Sequence, residues 1–383
     1  MSATPSGVLR TPLCDLLGIE HPVLQAGMGK SKGLVTSPAL VAAVSEAGGL
    51  GCLGGTGLDP EELRETIREL RRLTSRPFAV DLLLPAKLAA ADQSLERLRA
   101  LLEREYPAHV RFVERLRERY ALPKAQLERE YMVSEPLIRQ QVAAVLDERV
   151  PVFVAGLGDP AEVVPEAHAR GMLVVGIAGS VRNAVRQRAA GVDLVIAQGH
   201  EAGGHTGAIA SLVLVPQVVD ALRPLPVVAA GGIADGRGVA AALVLGAVGV
   251  WCGTVFLFAE EAWLDDAHRR QLDAAGAEDL VVSRTYTGKT ARVYRNEVVA
   301  AWAQSGLEPL PMPLQWALMS AFVAAAEAAG REDLATNPAG QVAGTLRGLR
   351  PARQIVAGLV DGARQAIGRL GDYTRTEARR GVP

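Results

Sequence analysis

The chain has 383 residues, 49% of them hydrophobic, and a formal net charge of −1, so it can bury a sizeable core and shows no basic excess of the kind that nucleic acid requires. Three cysteines, Cys14, Cys52 and Cys252, form no disulfide framework, which points to a reducing compartment. The N-terminus lacks a leader pattern and no apolar run reaches the ~18 residues of a membrane span, so a cytoplasmic protein without membrane contact is expected.

Eight apolar runs recur along the chain. They are "HPVLQAGM" (21–28), "GLGCLGG" (49–55), "FAVDLLL" (78–84), "VPVFVAGLG" (150–158), "MLVVGIAG" (172–179), "GVDLVIAQG" (191–199), "PVVAAGGI" (226–233) and "GVWCGTVFL" (249–257). They are continuous rather than alternating, as in parallel strands buried on both faces. Helical segments separate them. "SPALVAAVSEAG" (37–48) and "DPEELRETIRELRRL" (59–73) open on Ser-Pro and Asp-Pro start signals, and "DPAEVVPEAHARG" (159–171) and "DGRGVAAALVLGA" (235–247) are similar. The Arg-rich stretch from Arg64 to Arg76 reads as a solvated helix face, and His168 as a surface histidine.

This alternation predicts an α/β fold, a (β/α)8 TIM barrel over 13–84 and 150–260, with an open doubly wound sheet as the rival. Residues 85–149 after strand three read as a helical insertion, because apolar residues recur at three- and four-residue spacing. Residues 261–383 read as a mostly helical C-terminal extension with a frayed end.

Two motifs are decoys. In "HEAGGH", His200 and His205 are five residues apart across Gly203-Gly204, so no helical turn aligns them on a metal, and no metal site is expected. "GLGCLG" (49–54) matches G-x-G-x-x-G, but a helix precedes it and its glycines fall inside the strand. Close backbone packing, or a backbone-lined ligand wall, explains them better.

Two signals are stronger. Gly231 and Gly232 follow strand seven, and Gly253 and Thr254 follow strand eight. In β/α barrels these loops often build a phosphate site: glycine lets N–H groups approach, a helix start favours the charge, and a hydroxyl adds a donor. "QGHEAGGHTG" (198–207) follows strand six on the same barrel face. It is too glycine-rich for a helix or a packed strand, and it carries an imidazole over that face. His205 is therefore the catalytic candidate. His200 reads as structural or exposed, Glu201 as a carboxylate that fixes the loop, and Cys252 as a small core residue.

Taken together, "VLQAGMG", "AGGLGCLGG", "QGHEAGGHTG", "VVAAGGIADG" and "WCGTVFL" resemble the nitronate monooxygenases, formerly 2-nitropropane dioxygenases. The flavin-dependent enoyl-acyl-carrier-protein reductases belong to the same superfamily. The resemblance spans about Leu13 to Phe258. It implies non-covalent FMN at the strand C-termini. Ala26, Gly27 and Met28 match the segment against the flavin ring, and Gln198, Gly203 and Gly204 the residues around it. Ala230, Gly231, Gly232, Gly253 and Thr254 match the phosphate cradle, and His205 the active-site histidine. Where relatives carry Asn in the third strand, this chain has Asp81, a flavin-contacting position. Its strand-one turn is longer and holds Lys30 and Lys32, which solvated loop lysines explain most simply. The insertion is a candidate cap.

The resemblance implies nitronate oxidation by O2 to a carbonyl compound and nitrite. The alternatives are an NAD(P)H-dependent reductase of an enoyl or related thioester, and a flavin-binding protein without catalysis. The expected partner is a small-molecule substrate, with a homodimer left open as an assembly.

Overall fold

The predicted runs pair as parallel strands. A computed structural model of the chain describes residues 9–29, 34–84, 95–124 and 134–373; Lys30, Lys32 and the end of the chain from 374 lie outside them. The strands are β1 (Val23–Gln25), β2 (Gly51–Gly54), β3 (Phe78–Leu83), β4 (Val152–Gly156), β5 (Leu173–Ala178), β6 (Leu194–Gln198), β7 (Gly204–His205), β8 (Val227–Ala230), β9 (Gly249–Cys252), β10 (Leu280–Ser283) and β11 (Ala291–Tyr294). Eight of them form one parallel sheet in the order β1-β9-β8-β6-β5-β4-β3-β2.

The sheet closes on itself at a narrow seam. Leu24 bridges Leu50 in parallel, with Gln25 N to Leu50 O at 2.9 Å and Leu50 N to Val23 O at 3.0 Å. The buried Gln25 amide reinforces the seam: Cys52 N donates to its Oε1 at 3.0 Å, and its Nε2 donates to Cys52 O at 3.1 Å. This is a closed (β/α)8 barrel.

Alternation along each strand divides the apolar residues between two layers. Val152, Val154, Val175, Leu194, Ile196 and Val228 fill the barrel interior. Phe153, Val174, Val195, Val227 and Val250 face the helices. Both faces are dry, which is why the runs read as continuous. Burying a side chain such as Phe153 contributes ~1.5–3 kcal/mol. The helix Pro12–Leu17 shuts the N-terminal end, with Leu13 fully buried against Gly249.

The outer ring uses two helices that return from long excursions. After β3 the chain runs through Leu95–Glu105 and Pro107–Arg119 before Glu135–Asp147 takes the third helix position. There it packs beside Pro60–Leu73, with Arg64 to Asp147 and Arg71 to Glu148 both at 2.8 Å. After β9 the chain traverses about a hundred residues before Ala352–Tyr373 lies against Gly236–Val244 and Pro38–Glu46.

The two excursions meet in a second core. Leu95, Leu98 and Leu116 pack with Trp302, Leu318 and Phe322, and Phe112 meets Trp302 edge-on at 5.0 Å. Besides its helices, the C-terminal region carries the β10–β11 hairpin, which pairs with β7 as a small antiparallel sheet.

Candidate active site

A cavity of about 2410 Å³ opens at the C-terminal ends of the barrel strands. All of the predicted site residues line it: Ala26, Gly27, Met28, Asp81, Gln198, Gly203, Gly204, His205, Ala230, Gly231, Gly232, Gly253 and Thr254. Among the described residues, none from the insertion helices touches it. Its far wall comes from the C-terminal region, including Lys289, Trp316 and Met319. The insertion stands behind that wall, through the second core.

The glycine cradle sits on neighbouring strands. Gly231 (φ +91°) and Gly232 (φ +74°) leave β8 in a left-handed conformation that a side chain would strain. A Cβ on Gly231 would also lie 3.0 Å from Gly199 O. The N–H groups of Gly231, Gly232 and Gly253 find no acceptor among the described residues. Thr254 Oγ1 accepts from Gly340 N at 2.9 Å, and its own hydrogen stays available to donate. The helix Gly236–Val244 does not add the expected charge, because Asp235 accepts from Arg237 N and Gly238 N and occupies its first turn. The cradle therefore rests on loop N–H groups rather than on a helix end.

The loop after β6 is held from several sides. Ser211 N donates to Glu201 Oε2 at 3.0 Å, so Glu201 fixes the loop. His200 Nδ1 donates to Gly207 O at 2.9 Å, and its Nε2 accepts from Arg292 at 2.9 Å, so His200 is structural. Gly203 presses on Ala339, Gly340 on Glu201 O, and Gln341 N donates to Glu201 O at 3.0 Å. The segment Asn337–Gln341 thus clamps the loop.

Contrary to the expectation that the glycine-rich loop forms no strand, Gly204 and His205 make the two-residue strand β7, because β11 lies beside them and pairs Ala291 with His205. Gln198 Nε2 donates to its carbonyl at 2.7 Å. Its imidazole Nε2 is buried without a hydrogen-bond partner. Burial, and then the Lys289 ammonium, lower its pKa to about 4, so the ring is neutral at pH 7. Asp81 is only half-buried as a residue, but its Oδ1 is shielded and unpartnered. Gly27 and Gly156 close on it so tightly that a Cβ on either would meet the carboxyl group at 3.0 Å. Desolvation raises Asp81 to about 7.

The glycines of "GLGCLG" serve close packing. A Cβ on Gly51 would sit 2.1 Å from Val41 O, and one on Gly54 2.6 Å from the Met28 backbone. Cys252 is a buried thiol pushed up to about 12 by desolvation. His168 is exposed and pairs with Asp193 at 2.9 Å.

A family model described as nitronate monooxygenase matches residues 10–362. The chain belongs to the nitronate monooxygenase family. A Mycobacterium tuberculosis protein assigned by inference as a monooxygenase is 40% identical over 94% of this chain and 98% of its own. A nitroalkane oxidase from Streptomyces ansochromogenes superposes with a TM-score of 0.77 at 30% identity, covering 94% of this chain and 99% of that one. FabK from Thermotoga maritima gives 0.75 at 32%, covering 95% and 99%. The chain is an oxidoreductase of a flavoprotein family. No helix among the described residues is long and apolar enough to cross a membrane.

Within the nitronate monooxygenase fold, sequence reasoning missed Lys289. The available signal was Gly288 in "TYTGKT", a turn between the short runs "LVVS" and "ARVY". Asp81 has a consequence for stability. Its carboxyl group ordinarily titrates near 3.8 and rises to about 7 in the fold. The folded protein holds this proton longer than the unfolded chain does, so stability falls as pH rises from about 4 to about 7. Asp81→Asn is expected to raise the melting temperature of flavin-free protein at pH 8 and to change it little at pH 4. Thermal melts of both proteins at the two pH values check this; an equal shift at both would contradict it.

Proposed function

We propose that this protein is an FMN-dependent nitronate monooxygenase that converts alkyl nitronates and O2 to a carbonyl compound and nitrite. The observation that carries the reading is the buried, neutral and unpartnered Nε2 of His205 in a cavity whose opposite requirement, an anion cradle, is also present. The fit to FMN rests on chemistry. Gly231, Gly232 and Gly253 offer open N–H donors to a phosphate, and the Thr254 hydroxyl adds another. Ala26, Gly27 and Met28 supply a wall without bulky polar groups, and Asp81 offers an unsatisfied oxygen beside it. Held by these residues, FMN would supply the electron transfer between substrate and oxygen.

The protein's own part is binding and proton control. A base with a pKa near 4 binds a proton weakly at pH 7, so His205 is poorly matched to deprotonating a neutral nitroalkane. It suits the preformed anion. A nitronate beside the ring restores its affinity for a proton and gives Nε2 the partner it lacks.

A second reading, an FMN-dependent NAD(P)H reductase of an enoyl or related thioester, draws on the cavity. At about 2410 Å³ it exceeds the ~300–1,000 Å³ of common ligand pockets. Anaerobic bleaching of the flavin separates the two. Bleaching by an alkyl nitronate and not by NADH or NADPH, reversed by oxygen, supports the monooxygenase. Bleaching by a nicotinamide with none by nitronate sinks it in favour of the reductase.

A further inference from the structure

We propose that Lys289 recognises the anionic head of the substrate and so selects the ionised nitronate over its neutral nitroalkane. The inference rests on the nitronate reading for the identity of the anion, and on the following geometry for the site.

Lys289 lies in the β10–β11 hairpin and lines the same cavity as His205. It is half-buried, and its ammonium forms no hydrogen bond or ion pair among the described residues. The neighbouring cation Arg292 is committed to His200 and to Leu280 O, and the nearby carboxylate Glu201 is committed to Ser211. Desolvation lowers the Lys289 pKa, and no carboxylate offsets it. Proteins pair the charges they desolvate, so an unpaired ammonium at a cavity wall calls for a partner that arrives with the ligand.

The hairpin tip is fixed. Gly288 (φ +77°) packs so closely on the strand of chain at Leu310–Met312 that a Cβ would lie 2.4 Å from Leu310 O. Gly288 N donates to Arg284 O at 2.9 Å, and Lys289 N to Thr287 Oγ1 at 3.2 Å. The same hairpin pairs with β7 through Ala291 and His205. Lys289 stands two residues before Ala291, the partner of His205, so the hairpin turn and β7 bring the cation and the imidazole to the lining of one cavity. A nitronate's charge is spread over two oxygens. An ammonium and an imidazole match it as a point charge and a single hydrogen-bonding group.

The test uses FMN-loaded wild type, Lys289→Met and Lys289→Arg. Three quantities are read: KM and kcat for a short alkyl nitronate and for its neutral nitroalkane, the dissociation constant of butyrate from its perturbation of flavin absorbance, and FMN retention. Lys289→Met is expected to raise the nitronate KM and the butyrate constant by a factor on the order of 10–10². Its nitroalkane KM and FMN retention are expected to stay near wild type, and Lys289→Arg to recover most of the loss. Unchanged nitronate and butyrate affinities in FMN-retaining Lys289→Met overturn the proposal, as does loss of FMN itself. If Lys289→Met folds poorly, Lys289→Arg beside Lys289→Gln decides by the same butyrate readout. Should wild type fail to oxidise nitronates while Lys289→Met still weakens butyrate binding, the anion site stands and the nitronate reading falls.

Discussion

His205→Ala is expected to keep its flavin and lose nitronate turnover by a factor on the order of 10²–10³, the usual cost of removing one positioned hydrogen-bond donor to a reacting anion. The two halves of this expectation have separate structural grounds. Flavin retention follows from the cradle, which lies on the loops after β8 and β9 rather than on β7. Fold retention follows from how His205 is held. Its contacts with Ala291 and Gln198 run through the backbone, which alanine preserves. The imidazole Nε2 has no partner, so its removal orphans no buried donor or acceptor. Turnover is lost because the only group removed is one that faces the cavity. Absorbance of the purified variant reads the flavin, and steady-state oxygen consumption with a nitronate reads the turnover. Loss of flavin together with activity would make His205 structural.

Gly253→Asp is expected to weaken FMN binding by a factor of ~10² or more. A carboxylate at the cradle would face the phosphate, and like charges in such a site cost several kcal/mol, with each ~1.4 kcal/mol worth a factor of ten. The control is Gly253→Ala. Gly253 has φ −100°, which any residue adopts, and its Cβ would meet Ala26 Cβ at 3.5 Å and Met28 Sδ at 3.6 Å, ordinary contacts. Alanine is therefore tolerated, and the difference between the two variants isolates charge. Fluorescence titration of the flavin-free proteins with FMN measures both. Equal affinities would move the phosphate away from β9.

Much of this was legible because the barrel is built from local signals. Each of the eight strands lies within its predicted apolar run. The runs overshoot the strands at their C-terminal ends, where Ala26–Met28 and Gly231–Ile233 leave the ladder to line the cavity. Composition there still looks like strand, and only the barrel's closure shows that those residues belong to the site. Ser37 and Asp59 cap their helices as their sequence contexts predict.

What was not legible depends on tertiary pairing. The strand β7 is two residues long and exists because β11 lies beside it. The β10 and β11 runs are four residues each, too short for periodicity to distinguish from loop. Lys289 consequently looked like any turn lysine. The insertion, a candidate cap, had helices that were plain from spacing, but nothing in its own sequence names Trp302 or Phe322 as the partners it packs against.

The clamp formed by Asn337–Gln341 orders events during synthesis. A ribosome delivers β1 through β9 well before it delivers these residues, so the loops that surround the cavity first exist without Gly340 on Thr254 or Gln341 on Glu201. The nascent barrel has its staves but no latch. On the proposed function, tight capture of the cofactor would wait for this last segment, and a flavin bound by the finished chain would stabilise its C-terminal third through linkage.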